Sequence, residues 1–374
     1  MENENMNNNI NNEVNAPVTN IVPEQPVLNN NVVKEKNEES NNNRKKILTA
    51  FLMLIVTAIS LTTASYAWFT ENTTVTVDSI DVNVSAANGI QVSVDAVNWK
   101  ANISTNDITT NAYTGNTNQL PNQIVPVSTI GDVDATTGFM KMYKGNLVAD
   151  TTIPSGYRLE ATRSLESAGA DGAAGTEGDF VAFDLFVLAT QATSIYLTGS
   201  SDVVTSGTDK GLKNAARLAF LYQGSTTAGN YTTARTLKGA SSHSAGTTSN
   251  VIWEPNSTTH TDYGIAQAAN YGKTITDGQA VTPYHGIKAD ITAENKVDYT
   301  ATTDTYFAAV TPDILTTVGN GANSTLPFNL AVGINKIRVY AWIEGQDYDC
   351  ENNASGTKVI FRFQIAKATA QPGA

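Results

Sequence analysis

The sequence predicts an all-β protein whose main domain is a β-sandwich or jelly roll with long loop insertions. Segments rich in β-branched residues alternate apolar and polar side chains with the two-residue period of a strand. Gly, Ser, Thr, Asn and Asp fill the stretches between these segments, which is typical of turns and loops. No short repeat is visible, so a solenoid is not expected. A disordered tail and one hydrophobic helix are predicted to precede the β domain.

Residues 1–43 form the predicted tail. Asn dominates this stretch, which contains three prolines and no aromatic residue. Such a composition buries too little apolar surface to offset the entropy lost on ordering, so we expect a disordered leader that stays in the cytoplasm. The alternative interpretation is a tract that aggregates as β-structure, as some Asn-rich segments do.

Residues 44–67 have the pattern of a signal for export across the plasma membrane. The basic residues Arg44 to Lys46 precede an uncharged stretch that runs from 47 to 70. Positive charge stays in the cytoplasm while an apolar segment enters the bilayer. Residues 68–374 are therefore predicted to form an extracellular β domain.

Two outcomes are predicted for this signal. Its most apolar part is short for a membrane span of about 20 residues, which favours a cleaved signal peptide. Ser65 and Ala67 stand in the A-x-A-like arrangement that signal peptidases recognise, with Trp68 as the first residue of the mature protein. The alternative is a signal anchor that keeps residues 47–67 in the membrane, and the long leader favours it. A buried core helix is a third interpretation, but it leaves the basic flank unexplained.

The stretch from Ala64 to Glu71 reads ASYAWFTE and is followed at once by a segment that alternates Thr, Val and Asp. It resembles the export region of Firmicutes surface proteins processed by SipW-type signal peptidases, a group that includes the TasA-like fibre proteins and the camelysins. Two later segments, 252–256 and 339–347, resemble recurring segments of large surface proteins with such signals. The resemblance implies a signal peptidase as partner and a location at the cell surface or outside the cell in a Gram-positive-type bacterium.

The same resemblance implies a way of assembling. TasA-like relatives are understood to polymerise by donor-strand exchange, so a homo-oligomer or filament is expected here, with residues Thr73 to Val84 as the candidate donor strand. A strand added to an exposed sheet edge satisfies backbone groups that the edge leaves unpaired. The alternative is an ordinary N-terminal strand that pairs within the sheet of its own chain.

The first two strands of the β domain are predicted on either side of a turn. Apolar residues alternate over 75–77 and again over 80–84, after a one-residue phase change that we interpret as a β-bulge. Asn88 and Gly89 are a turn signal, and the alternation resumes over 90–99. These features predict a β-hairpin.

Six further strands are predicted from their alternation: 180–189, 194–197, 216–222, 306–310, 336–344 and 358–366. The last two alternate most regularly, and each is expected to bury one face. Residues 345–357 are then a loop that joins them as antiparallel strands. The polar tracts 169–179 and 224–250 are predicted to be surface loops.

Charge and cysteine content narrow the classes of partner. The formal net charge of −12 argues against nucleic acid or anionic lipid as partner, because both repel an acidic protein. Cys350 is the only cysteine, so no intramolecular disulfide forms. We expect a buried structural thiol, with a link between two copies as the alternative.

No motif for catalysis is visible, so the protein is not predicted to be an enzyme. His243, His260 and His285 lack the spacing of metal ligands, and no serine lies in a G-x-S-x-G turn. One acidic loop is a candidate metal site: Asp347, Asp349 and Glu351. Oxygen ligands spaced in this way suit Ca²⁺, although the loop lacks the EF-hand pattern. The alternative is a solvated acidic turn, and no other cofactor is predicted.

The leading functional hypothesis is an exported structural protein of the cell surface or extracellular matrix, a fibre subunit that assembles by strand exchange. The alternative is a membrane-anchored adhesin or glycan-binding protein. Its candidate ligand-facing aromatic residues are Trp253, Tyr263, Tyr271 and Tyr284. A secreted hydrolase with unrecognised carboxylates is the third hypothesis.

Overall fold

The structure is a computed structural model of the chain. It describes residues 80–87, 90–152, 157–166, 175, 177–206, 210–239, 250–270, 274–279, 285–295, 297–298, 305–310, 313–315, 324–350 and 358–367. The predicted leader, the export signal and the processing residues Ser65, Ala67 and Trp68 lie outside these ranges, as does Glu351. Within them, no helix has the length and apolar character that a membrane span requires.

Strands dominate the described residues, which confirms the all-β class. The strands are β1 (Ile80–Ala87), β2 (Gln91–Ser93), β3 (Asn102–Ile103), β4 (Met142–Ala149), β5 (Tyr157–Ser164), β6 (Val181–Ala189), β7 (Thr193–Leu197), β8 (Asp202–Ser206), β9 (Ala216–Thr226), β10 (Asn250–Trp253), β11 (His285–Ile287), β12 (Val297–Asp298), β13 (Phe307–Ala309), β14 (Asp313–Leu315), β15 (Ser324–Leu330), β16 (Gly333–Ile343) and β17 (Lys358–Lys367). The described residues also contain three short helices: α1 (Thr105–Thr110), α2 (Tyr231–Thr236) and α3 (Asp262–Asn270).

Two six-stranded sheets form the framework. The terminal sheet, named for the first and last described strands that it contains, has the order β15-β7-β17-β1-β3, with β8 also paired to β17. The central sheet has the order β14-β10-β9-β16-β6-β2. Strands β4, β5 and β12 form a small third sheet, and β11 pairs with β13. Most pairs are antiparallel, but β1 and β17 are parallel, as are β10 and β14.

The main apolar core contains side chains of both six-stranded sheets. Val359, Phe361 and the other inward residues of β17 belong to the same buried cluster as the alternate residues of β6, β9 and β16. The rings of Phe220 on β9 and Phe363 on β17 meet edge to face, with centroids 5.1 Å apart. Burial of one such side chain contributes about 1.5–3 kcal/mol, so packing between the two sheets stabilises the fold.

The central sheet is covered on its other face as well, and this corrects one expectation. All eleven residues of β16 are buried, whereas β17 alternates between buried and more exposed positions as predicted. Tyr340 and Trp342 on the second face of β16 pack in a separate apolar cluster with Val127 and Met140. The prediction of a single buried face is therefore wrong for β16, because the chain around residues 127–142 covers the other one.

The predicted hairpin is also wrong. Strand β1 pairs with β17 along its whole length, from Ile80 opposite Val359 to Ala87 opposite Ala366. Strand β2 instead pairs with β6 in the central sheet. The chain therefore crosses from one sheet to the other between β1 and β2. Strands β16 and β17 likewise lie in different sheets, so residues 345–357 connect two sheets.

Candidate functional site

The second face of β16 carries charged residues where an apolar row would be expected. Lys336, Arg338 and Glu344 share this face with Tyr340 and Trp342, and each of them is at most 5% exposed. Burial of an isolated charge is costly, so such groups need partners that neutralise them and accept or donate their hydrogen bonds. The partners of Lys336 and Arg338 form one ionic network, and a second ionic network lies around Arg217 on the neighbouring strand β9.

The first network, here the lysine–aspartate network, consists of Lys336, Asp184, Arg338, Glu166 and Tyr113. Arg338 donates from Nη1 to Asp184 Oδ1 at 2.9 Å and from Nη2 to Glu166 Oε2 at 2.5 Å. Lys336 Nζ lies 3.1 Å from Asp184 Oδ2, and the Tyr113 hydroxyl donates to the same oxygen at 2.6 Å. The network holds two cations and two carboxylates, so its formal charge is balanced.

Burial and neighbouring charges shift the pKa values in this network. Burial lowers the pKa of Lys336, and the nearby carboxylate of Asp184 only partly opposes this shift. Burial also works to raise the pKa of Asp184, but Arg338 and Lys336 outweigh it, so the net shift is downward. The pKa of Glu166 is raised, chiefly because that carboxyl is buried. Lysine and aspartate thus form a close pair in a site where the ammonium form is disfavoured.

The second network, here the arginine–carboxylate network, is centred on Arg217 of β9. Its Nη2 forms ion pairs with both Glu254 and Asp347, and its Nη1 donates to the backbone oxygen of Asn214 at 2.6 Å. Burial raises the pKa of Glu254 and of Asp347, against the opposing effect of Arg217. Glu254 Oε2 is buried and accepts no hydrogen bond from the residues that the structure describes. One guanidinium therefore pairs with two buried carboxyl groups.

Asp349 joins the second network through its backbone, since its N–H donates to Asp347 Oδ1 at 2.8 Å. Its own carboxylate is completely buried and accepts hydrogen bonds from Thr261 N at 2.7 Å and Thr261 Oγ1 at 2.9 Å. His260 Nδ1 lies 2.8 Å from Asp349 Oδ2, and this contact raises the pKa of His260. The carboxylates of Asp347 and Asp349 therefore accept hydrogen bonds from donors of the protein itself.

The structure thus brings together two of the three residues of the predicted calcium loop. Asp347 and Asp349 lie in one network, while Glu351 falls outside the described residues. In the part of the chain that the structure describes, no three His, Cys, Asp or Glu side chains are grouped as metal ligands. Calcium at this loop stays a prediction.

Glu344 lies at the end of the polar row. Burial raises its pKa to about 7, although Ser128, Trp342 and Gln346 hydrogen-bond to it and act in the opposite direction. The Trp342 indole donates to Oε2 and the Gln346 backbone N–H donates to Oε1, both at 3.1 Å. This carboxyl therefore changes its charge near neutral pH.

An open pocket of about 280 Å³ is found elsewhere, beside α1. It is lined by Val94, Asp95, Asn98, Lys100, Ile103, Asp107 and Asn111. Asp107 forms an ion pair with Lys100 and caps the N-terminus of α1, so its carboxylate has a structural partner. No aromatic residue lines this pocket, and the ionic networks above are not part of it.

The structure describes two of the four candidate ligand-facing aromatic residues, Trp253 and Tyr263. Trp253 is completely buried in the main core, so it cannot stack on a ligand. Tyr263 is half exposed, while Tyr271 and Tyr284 lie outside the described residues. Cys350 is buried, as expected of a structural thiol.

Apart from Asp347 and Asp349, the residues of the two networks were not predicted from the sequence, although two of them leave a signal there. Asp184 interrupts the apolar run VAFDLFVLA, and Arg217 interrupts ARLAFL. A charge inside such a strand needs a buried partner, but the pattern does not say which residue supplies it. Comparisons of this chain with protein-family models, with curated proteins and with solved structures return no match.

Proposed function

We propose that this protein is a structural component of the cell surface or extracellular matrix, with a β-sandwich as its folded domain. The shared apolar core of the two six-stranded sheets supports the sandwich. The buried carboxylates of the two ionic networks are engaged mainly by side chains of the fold, which suits a scaffold better than a substrate site. The proposal extends to assembly of several copies through β1.

The observation that carries this proposal is the position of β1. It is the first described strand, and it lies between β17 and β3 in the terminal sheet. Strand β17 pairs with all eight of its residues, but β3 pairs only with Val84 and Ser85. A strand that lies shortly after the proposed export segment and completes a sheet in this way is suited to exchange between copies, because a neighbour's β1 can form the same hydrogen bonds.

The export step is part of the same proposal. Its support is the resemblance of residues 64–71 to the SipW-type signals, together with the basic flank before the apolar segment. Cleavage before Trp68 would leave only a short stretch ahead of β1. The chain would then carry a strand near its free N-terminus, which is the arrangement that exchange requires.

The test begins with the full chain expressed in a Firmicutes host with and without its SipW-type peptidase. We expect an exported species that begins at Trp68 and forms filaments visible by negative-stain electron microscopy. Deletion of residues 68–87 is expected to abolish the filaments. An intact N-terminus, retention in the membrane and monodisperse particles would contradict both export with cleavage and assembly.

Engineered disulfides distinguish exchange from pairing within one chain. Ser85 and Gln364 are register partners in the β1–β17 pair, so cysteines at both positions are close enough to link. Exchange predicts a ladder of covalent multimers on non-reducing gels, whereas pairing within the chain gives linked monomers only. The matched control places cysteines at Gln91 and Leu188, partners in the β2–β6 pair, where monomers are expected in both cases.

A further inference from the structure

We propose that the side chains of Lys336 and Asp184 join in a covalent amide bond that links β16 to β6. The two strands are antiparallel neighbours, with Arg338 opposite Asp184 and Lys336 opposite Phe186. Lys336 and Asp184 are therefore diagonal neighbours on one face of the sheet, and Nζ lies 3.1 Å from Oδ2. Reacting groups held at such a distance by a rigid sheet have a very high effective concentration.

The surroundings of this pair exclude water. The two side chains are 7% and 2% exposed, respectively. Phe186 belongs to an apolar cluster with Ala234 and Ile334, and its ring centroid lies 6.0 Å from Lys336 Nζ. Burial favours the neutral amine of Lys336, because the ammonium form loses hydration, whereas for Asp184 the nearby cations outweigh burial and lower the pKa of the carboxyl. The lowered pKa of Lys336 agrees with this expectation. The free amine is the form of lysine that attacks a carbonyl carbon.

Two donors hold the carboxyl group of Asp184 in place. Arg338 Nη1 donates to Oδ1 at 2.9 Å, and the Tyr113 hydroxyl donates to Oδ2 at 2.6 Å. When the amine attacks the carboxyl carbon, negative charge develops on Oδ1, where the guanidinium already lies. Donors placed in advance at an oxygen that gains charge are an effective means of stabilising a tetrahedral intermediate.

The reaction is balanced without any other reactant. A proton passes from the Lys336 ammonium to Asp184 Oδ2, which leaves a neutral amine beside a carboxylic acid. The bond between Nζ and Cγ forms, the bond between Cγ and Oδ2 breaks, and Oδ2 leaves as water with a second proton from the nitrogen. The product is an uncharged amide, so Arg338 and Glu166 remain as a balanced buried ion pair. Loss of the other two charges removes their desolvation cost from the folded state.

The molecule contains its own control. Lys144 Nζ and Asp179 Oδ1 are also 3.0 Å apart, but the lysine side chain is 48% exposed. If distance alone decided the outcome, both pairs would form an amide bond. Exclusion of water predicts a bond only between Lys336 and Asp184, since the exposed side chain of Lys144 is hydrated.

The experiment is mass spectrometry of the full chain, purified in its folded state and then denatured and digested with protease. We expect the peptides that carry Lys336 and Asp184 to be recovered as one branched species, lighter by one water than the two peptides together. The peptides that carry Lys144 and Asp179 should be recovered separately. As a control, chain that is synthesised in denaturant and never folds should give the Lys336 and Asp184 peptides unlinked.

Variants test the roles of the individual groups. Lys336→Arg keeps the charge but removes the nucleophile, so it should lack the link, and Tyr113→Phe should slow its formation in a time course after refolding. Unlinked Lys336 and Asp184 peptides from the unaltered folded chain would overturn the proposal, whether or not any variant folds. Asn118 lies at the same site, where its Oδ1 accepts a hydrogen bond from Arg338 Nη1 at 2.9 Å. A link from Lys336 to Asn118 with loss of ammonia would overturn the proposal as well.

Discussion

Replacement of Arg217 by methionine is the sharpest test of the arginine–carboxylate network. The methionine keeps much of the volume of the arginine stem but removes the guanidinium that pairs with Glu254 and Asp347. The two carboxyl groups then stay in positions that are 5% and 12% exposed. Removal of one partner from a buried ion pair typically costs about 3–5 kcal/mol, because the remaining charge is neither hydrated nor neutralised.

The cost of the Arg217→Met substitution is expected to depend on pH. The direction of the pKa shifts decides whether the cost rises or falls with pH. Burial already raises the pKa values of Glu254 and Asp347, and loss of Arg217 raises them further. In the pH range between its unfolded and folded pKa values, a carboxyl with a raised pKa binds more protons in the folded chain than in the unfolded one. Stability then falls by about 1.4 kcal/mol per pH unit for each such group as the pH rises. The deficit of the Arg217→Met chain should therefore approach the full 3–5 kcal/mol range near pH 8 and shrink toward pH 5.

Urea unfolding at pH 5, 6.5 and 8, monitored by tryptophan fluorescence and by circular dichroism, measures this deficit. The matched control is Arg362→Met, because Arg362 pairs with Asp202 on the surface, with side chains 49% and 44% exposed. An exposed pair contributes about 0–1 kcal/mol, so the control should change little at any pH. Equal effects of the two substitutions, or a deficit for Arg217→Met that grows toward pH 5, would refute the electrostatic reasoning.

Three further predictions concern stability. Because the pKa of Glu344 is raised to about 7, the unaltered chain should lose up to roughly 3 kcal/mol as pH rises from 4.5 through 7, and urea titrations of Glu344→Gln should lack that contribution. Phe363→Ala should lower the free energy of unfolding by about 3–5 kcal/mol, because packing between the sheets is lost. The control Val332→Ala, at a position that is 59% exposed, should lower it by less than about 0.5 kcal/mol, and similar losses for the two variants would contradict the assignment of the core. Gly333 has a φ of +107°, and a Cβ there would lie 2.2 Å from the Thr226 backbone oxygen, so Gly333→Ala should cost roughly 3 kcal/mol or more in thermal unfolding. Gly278 has a φ of +89° but open space around it, so the control Gly278→Ala should cost only about 1–2 kcal/mol.

The sequence contains enough information to locate the strands with regular patterns. Residues 336–344 and 358–366 alternate cleanly, and the observed strands β16 and β17 include nearly all of both ranges. Strand β4, with Lys144, Gly145 and Asn146 at its centre, was not predicted, because these residues have weak strand propensity. Its stability as a strand depends on pairing with β5, from Met142 opposite Ser164 to Ala149 opposite Tyr157. That pairing is a tertiary property which no short window of sequence encodes.

The pairing partners of the strands were harder to predict than the strands themselves. The turn signal at Asn88 and Gly89 favours a hairpin, yet β1 joins the last strand of the chain and β2 joins the other sheet. A local pattern fixes which face of a strand is apolar, but it does not specify the neighbour. The same limit applies to the candidate site, where Asp184 and Arg338 are 154 residues apart. Each charge is visible in its strand, but their contact depends on the register between β6 and β16.

The parallel pairing of β1 with β17 also sets the order of events during synthesis. The ribosome produces β1 first among the described strands and β17 last, so β1 lacks its long neighbour until almost the whole chain has emerged. Contacts between residues so distant in sequence form slowly, because a large loop must close before they are made. During most of synthesis, β1 therefore remains accessible to other molecules. This accessibility ends when the residues of β17 have been synthesised and pair with β1.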